Sequence, residues 1–261
     1  MFIAKFAATV SALLGVCSGL YSSKKCRNDK LRCPKDQISC STTDLNTCCT
    51  PDVGLYTYSV GWYPKTGPAD SFTIHGLWPD YCNGTWPPNY GCDTSRHLST
   101  VEDDIKAVNP ELHKYMVNYW PSSNGDAEEF WLHEWNKHGT CVSTAESRCN
   151  RYNPVNGTEA IRYYEQTVEY FKIFDVYNAL KKHNIVPTAN NTNSGYQVKY
   201  KVSDIKAAIK EEIGAEVAIS CKNNIFYEVL FYFNVKNGFE PVYIKPLIND
   251  TCTELVYINK Y

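Results

Sequence analysis

Twelve cysteines in a chain of 261 residues, two of them adjacent at Cys48 and Cys49, limit what this sequence can fold into more than any other feature. Cysteines at this density form either a disulfide framework or a zinc site. Adjacent cysteines do not fit the short spacer with which a chain usually wraps one tetrahedral ion, so disulfides are expected. Such bridges persist in oxidising, exported settings. The start of the chain agrees. Lys5 supplies a positive charge, residues 6–16 are mostly apolar or small, and Cys17, Ser18 and Gly19 follow. That order matches a signal peptide cleaved near Gly19. A membrane span needs ~20 apolar residues, and neither this segment nor a later one reaches that length. Residues 1–19 are therefore expected to be a signal peptide, 20–32 a polar extension and 33–261 one folded domain. The destination is outside the cell or a vacuolar or lysosome-like compartment. Sequons at Asn83, Asn156, Asn190 and Asn249 are the expected glycosylation sites. Cys17 falls in the signal and leaves an odd number of cysteines. Cys26, in a polar stretch, is expected to be the one left over.

An apolar content of 43% supports a packed core. The net charge of −2 excludes binding to a polyanion through a broad basic face. Attraction to one must be local, or must grow as histidines and carboxylates take up protons at lower pH. Apolar patterning predicts strands at 55–62, 72–75, 225–234, 239–247 and 254–258. Asn237-Gly238 is a hairpin turn signal between two of them. Helical patterns cover 99–116 with a break at Pro110, then 127–138, 158–182, and 203–213 between Ser203 and Gly214. Residues 84–93, rich in Pro, Gly and Asn, are expected to form a loop. The reading is an α+β fold with several helices, stapled by disulfides into a single domain.

Two stretches can carry chemistry. In the first, Phe72-Thr-Ile-His75-Gly-Leu-Trp78-Pro-Asp80, a histidine ends an apolar strand and a Trp-Pro turn follows. The second, Phe130-Trp-Leu-His133-Glu134-Trp-Asn-Lys137-His138, gathers two histidines, a glutamate and a lysine. On a helix Glu134 and His138 are neighbours, as are His133 and Lys137. His133 and His138 then lie about 140° apart around the axis, so the four groups can line one edge of a cleft. Two imidazoles supply a base and an acid near mildly acid pH, and a lysine supplies positive charge for a phosphorane-like transition state. Zinc proteases place two histidines at i,i+4. Here the spacing is i,i+5 and Lys137 intervenes, so no metal is expected. His97, His113 and His183 are read as ordinary polar residues, and most tryptophans as core.

These two stretches resemble the active-site segments of the T2 family of acid ribonucleases, and the likeness runs from about Cys33 to Cys252. The opening with Cys33, Cys40 and Cys48-Cys49 resembles the fungal branch. The resemblance implies a central antiparallel sheet and a catalytic domain over 33–261. It implies His138 as general base, His75 as general acid, His133 holding the phosphate, and Glu134 and Lys137 stabilising the transition state. Trp78 and Asp80 match residues holding one base, with Trp86 as an aromatic stacking partner. Pro121, Ser122 and Phe130 match a second base site. Implied disulfides are Cys33–Cys49, Cys40–Cys82, Cys48–Cys149, Cys92–Cys141 and Cys221–Cys252. The implied activity is cleavage of single-stranded RNA through a 2′,3′-cyclic phosphate, with low base specificity, an acid optimum and no cofactor. A monomer with no obligate protein partner is expected. The alternative is a catalytically silent secreted glycoprotein of the same fold that acts by binding. Three features depart from the family pattern. Gly61 stands where many relatives carry glutamine, the Asn83 sequon lies beside the first base site, and the stretch before Cys33 has no counterpart.

Overall fold

The computed structural model describes residues 33–42, 45–149, 158–189 and 197–261. The signal peptide, the polar extension with Cys26, and the sequons at Asn156 and Asn190 lie outside the described residues. Asn83 and Asn249 are exposed. No helix among the described residues is long and apolar enough to cross a membrane.

Strand β1 (Leu55–Gly61) lies between β2 (Thr73–Asp80) and the long β5 (Ile225–Lys236), antiparallel to both. β5 also pairs antiparallel with β4 (Val217–Lys222) and β6 (Glu240–Tyr243). Asn237 and Gly238, at φ 55° and 79°, turn the chain from β5 into β6 as their sequence predicts. β3 (Lys199–Lys201) and β7 (Glu254–Val256) pair with each other, and Ile225 opposite Val256 joins them to β5 through one parallel contact. The sheet is otherwise antiparallel. The sequence reading contains neither β3, which is too short to show a pattern, nor β4, whose first residues are buried without alternation.

Tyr56, Tyr58 and Val60 of β1 and Val229, Phe231, Phe233 and Val235 of β5 face the main core. Six helices contribute to that core: α1 (Glu102–Val108), α2 (Pro110–Tyr119), α3 (Ala127–Lys137), α4 (Thr158–Ile173), α5 (Val176–Lys182) and α6 (Val202–Ile213). Pro110 opens α2, and the Asn109 side chain accepts from the Leu112 N–H, so the break falls where proline predicts it. The single helix expected over 158–182 is two. Asp175 starts α5 by accepting from the Asn178 N–H, and buried Phe174 stacks on Phe231 at 4.4 Å. Ser203 lies inside α6 rather than before it, while Gly214 closes that helix at φ 83°. Among the described residues, five disulfides join the pairs that the family resemblance implies.

The opposite face of the sheet carries a smaller cluster, Ala218, Leu230 and Tyr232, with Trp78 packed against it. The β2 register explains how Trp78 reaches this face. Ser59 stands opposite Gly76 and Val60 opposite Ile74, so His75 has no partner. His75 is the extra residue of a β-bulge, a device that re-aims side chains beside a site. The turn expected at Trp78-Pro79 is not there. β2 continues to Asp80 with Pro79 opposite Tyr56. β2 is the edge of the sheet, where proline's missing N–H breaks no ladder bond.

Candidate active site

The bulge leaves the His75 carbonyl in need of a donor, and a buried one without a partner costs about 1–3 kcal/mol. Trp120, which ends α2, donates its indole N–H to it at 3.0 Å. The Trp120 carbonyl in turn accepts the indole N–H of Trp131 on α3 at 2.8 Å. Two buried tryptophans thus tie the bulge to α3 while satisfying their own donors. The His75 ring packs edge-on against Trp78 at 4.9 Å between centroids and lies 5.9 Å from Phe130. Its Nδ1 lies 2.7 Å from Oε1 of Glu228 on β5. Burial works against charge on this ring. The hydrogen bond to Glu228 and the negative charges of Glu134 and Glu228 outweigh it, and His75 is held above its ordinary 6.5.

Asp126 starts α3 by accepting from the Glu129 N–H. The helix ends at Lys137, and His138 caps it with its N–H still on the Glu134 carbonyl at 3.1 Å. His138 therefore sits one residue beyond the helix that the sequence extends through it. Its ring lies 5.5 Å from Trp78 and 6.2 Å from His133. Burial, followed by the positive charges of Lys137, His133 and His75, pushes His138 down to about 3. Partial desolvation and the same Lys137 charge lower His133 as well. Glu134 is 1% exposed, and its Oε2 accepts the Trp78 indole N–H at 3.0 Å. Burial pushes Glu134 up to about 7. Gly76 makes room for it, since a Cβ there would fall 2.0 Å from Oε2.

Ligating atoms of His133, Glu134 and His138 lie within 4.8 Å of one another, close enough to surround a cation. The charges around them oppose one. Lys137 already depresses both histidines, and the Glu134 carboxyl is engaged by Trp78. What the group offers instead is two half-buried imidazoles on one indole, poised in opposite directions. Paired titratable groups with separated pKa values mark acid and base assignments.

The structure brings His75, Trp78, Phe130, His133, Glu134, Lys137 and His138 together. Asp80 lies on the same face of β2, buried, with its carboxylate accepting from the Thr57 hydroxyl at 2.9 Å and pushed up to about 6 by burial. Trp86 is 80% exposed, and the Ser122 hydroxyl accepts the Asn124 N–H. Among the described residues, no hydrogen bond or ring contact links Trp86, Pro121 or Ser122 to the histidines. His97 bonds the Tyr90 carbonyl, and His113 and His183 pair with Glu102 and Glu212, as ordinary polar residues do. Sequence reasoning missed Glu228, Tyr63 and Trp120. Glu228 left a signal, for it is the only charged residue in 225–235.

Residues 35–244 match the Ribonuclease T2 family. The chain is 34% identical to ribonuclease Rh of Rhizopus niveus over 222 residues, covering 85% of this chain and 89% of that protein. It is 41% identical to ribonuclease T2 of Aspergillus oryzae over 217 residues, covering 79% and 74% of the two chains. Among solved structures, Actibind, described as a T2 ribonuclease and antitumorigenic agent, superposes with a TM-score of 0.77 at 35% identity over 88% of this chain and 98% of its own.

Proposed function

The chain belongs to the ribonuclease T2 family and is an endoribonuclease; on that premise we propose that it cleaves single-stranded RNA by acid–base transphosphorylation without a metal. The observation that carries this reading is the shared packing of His75 and His138 on Trp78 with opposite proton poise. His138, neutral, takes the proton of the 2′-hydroxyl. The freed oxygen forms a bond to phosphorus. The bond from phosphorus to the 5′-oxygen breaks with its electron pair on that oxygen, which takes the proton of His75. The product is a 2′,3′-cyclic phosphate, hydrolysed more slowly. His133 holds the phosphate, while Lys137 and protonated Glu134 meet the charge on its oxygens. Trp78 and Asp80, with Trp86 stacking, hold one base. Pro121, Ser122 and Phe130 hold the other, and base preference is low. The enzyme acts as a monomer exported through its signal peptide. N-terminal sequencing of exported protein should find its start near residue 20, and a start at Met1 contradicts export by cleavage.

The pH profile follows from the two histidines. The base works only above its pKa of about 3, and the acid works only below a pKa held above 6.5. The profile of kcat/KM against pH should therefore be a bell centred on the acid side of neutrality, at roughly pH 5. Dinucleoside monophosphates assayed after EDTA dialysis, with products followed by phosphorus NMR, test the proposal. Cyclic phosphate formation at an undiminished rate is expected. Activity restored only by added metal overturns the metal-free mechanism, and a maximum above pH 7 overturns the acid and base assignments.

A further inference from the structure

We infer that Glu228 is a positioning residue for His75, seated by the Tyr63 hydroxyl, and that it holds the Nδ1 proton so that only Nε2 is presented to the scissile phosphodiester. The inference rests on the reading of His75 as the general acid.

The geometry begins at Gly61. β1 separates β2 from β5, and Gly61 is the β1 residue opposite both Thr73 and Glu228. A side chain there would stand between the strand carrying His75 and the strand carrying Glu228. Gly61 has none, and the ring of Tyr63 folds back into the space. A Cβ on residue 61 would lie 2.1 Å from Cζ and 2.5 Å from the hydroxyl oxygen of Tyr63. Tyr227 braces that ring edge-on at 5.1 Å. The Tyr63 hydroxyl donates to Oε1 of Glu228 and lies 3.3 Å from Nδ1 of His75. Oε1 therefore accepts from both the hydroxyl and the imidazole, and Tyr63 fixes where the carboxylate stands.

Several charges face His75. Tyr63 comes from the chain after β1, and Glu228 from β5. His133, Glu134 and Lys137 come from α3, with His138 at its end. The two carboxylates differ in what they do as pH falls. Glu134 is pushed up to about 7 by burial and takes up a proton through the acid range. Burial also opposes charge on Glu228, but its bonds with His75 and Tyr63 outweigh burial and hold it below the ordinary carboxylate value. Glu228 is thus the anion that still faces His75 when the enzyme works in acid. When the Nε2–H bond breaks and the proton passes to the 5′-oxygen, the Nδ1–H stays on Glu228. The ring ends as the neutral Nδ1–H tautomer, ready to be reprotonated at Nε2.

The test compares E228Q, E228D and His75→Phe in the full-length enzyme. E228Q keeps an oxygen for Nδ1 but removes the charge. An opposite charge this close shifts a pKa by about 1–3 units. The alkaline limb of kcat/KM should therefore fall by about one unit or more, with the acid limb unmoved. The NMR titration of the His75 ring should fall by the same amount. E228D keeps the charge and should lie nearer the parent enzyme on both readouts. A loss of rate in E228Q with neither limb nor His75 titration moved overturns the inference and leaves Glu228 a packing residue. In the His75→Phe background, E228Q should add less than about twofold to the loss, because residues acting through one another are not additive. If His75→Phe itself keeps near-normal rate, the acid assignment has failed. Should His75→Phe be crippled while E228Q matches the parent, only the positioning role has failed.

Discussion

His75 and His138 pack against the same indole, yet their surroundings treat them in opposite ways. His75 sits on the sheet, at a bulge, with a carboxylate reaching across β1 to its Nδ1. His138 sits at a helix end, half-buried, with Lys137 and His133 beside it. A helix C-terminus ordinarily favours a protonated histidine by about 0.3–1 kcal/mol. Burial and the neighbouring cations override that here. The difference teaches that the proton poise of each ring is set by what flanks it rather than by the ring itself.

The largest way to break this pairing is to remove either ring. His75→Phe and His138→Phe should each lower kcat/KM on RNA by at least ~10²-fold, the scale of one acid–base group. The double variant should be little worse than either single one, as for residues that act as a unit. A single variant within a few fold of the parent strips that histidine of its role. Next in size is the wall between the two sides. In Gly76→Ala the new methyl meets Glu134 Oε2 at 2.0 Å and the Trp78 nitrogen at 2.7 Å. Moving the surface on which both rings rest should cost ~10-fold or more in kcat, since small misplacements of reacting groups are costly. Melting temperature, measured alongside, separates this from unfolding. An unchanged kcat would mean that Trp78 and Glu134 do not set the spacing. The smallest shift is read from one limb of the pH profile, apart from the rate lost with the lysine charge itself, and it sharpens the comparison rather than breaking it. Lys137 lowers the pKa of His138, so Lys137→Met should raise it and move the acid limb of kcat/KM up by about 0.5–1 unit. The variant then loses more activity at pH 3–4 than at pH 6, and an unmoved acid limb removes Lys137 from the control of the base.

Much of this was legible in the sequence because local pattern and chemistry coincide. His133, Glu134 and Lys137 sit on a helix with a clear start at Asp126, and His138 caps it with its N–H still in the helical ladder, so their neighbourhood follows from helical spacing. The break at Pro110 and the hairpin at Asn237-Gly238 follow from backbone rules in the same way. The failures share a cause. Trp78-Pro79 reads as a turn because proline disrupts most strands, and only its place on the edge of the sheet removes the conflict. Asp175 ends one helix and starts the next inside an otherwise continuous pattern, because a carboxylate offers the backbone a competing bond. Glu228 and Tyr63 act on His75 across a strand, and no spacing along the chain encodes that neighbour. Gly61 stands in the sequence only as a departure from the family's glutamine, whereas its lack of a side chain is what admits the Tyr63 ring.

The bulge on β2 has one more consequence. Ile74, Leu77 and Pro79 turn to the core, and Gly76, Trp78 and Asp80 turn away from it. Counted without residue 75, these six alternate without interruption, as an ordinary strand does. In pairing terms the sheet has no use for His75. It is one residue more than the ladder needs, set into an otherwise complete strand. Exchanging the side chain at 75 therefore changes what the strand presents to the groove without shifting the register of any neighbouring residue.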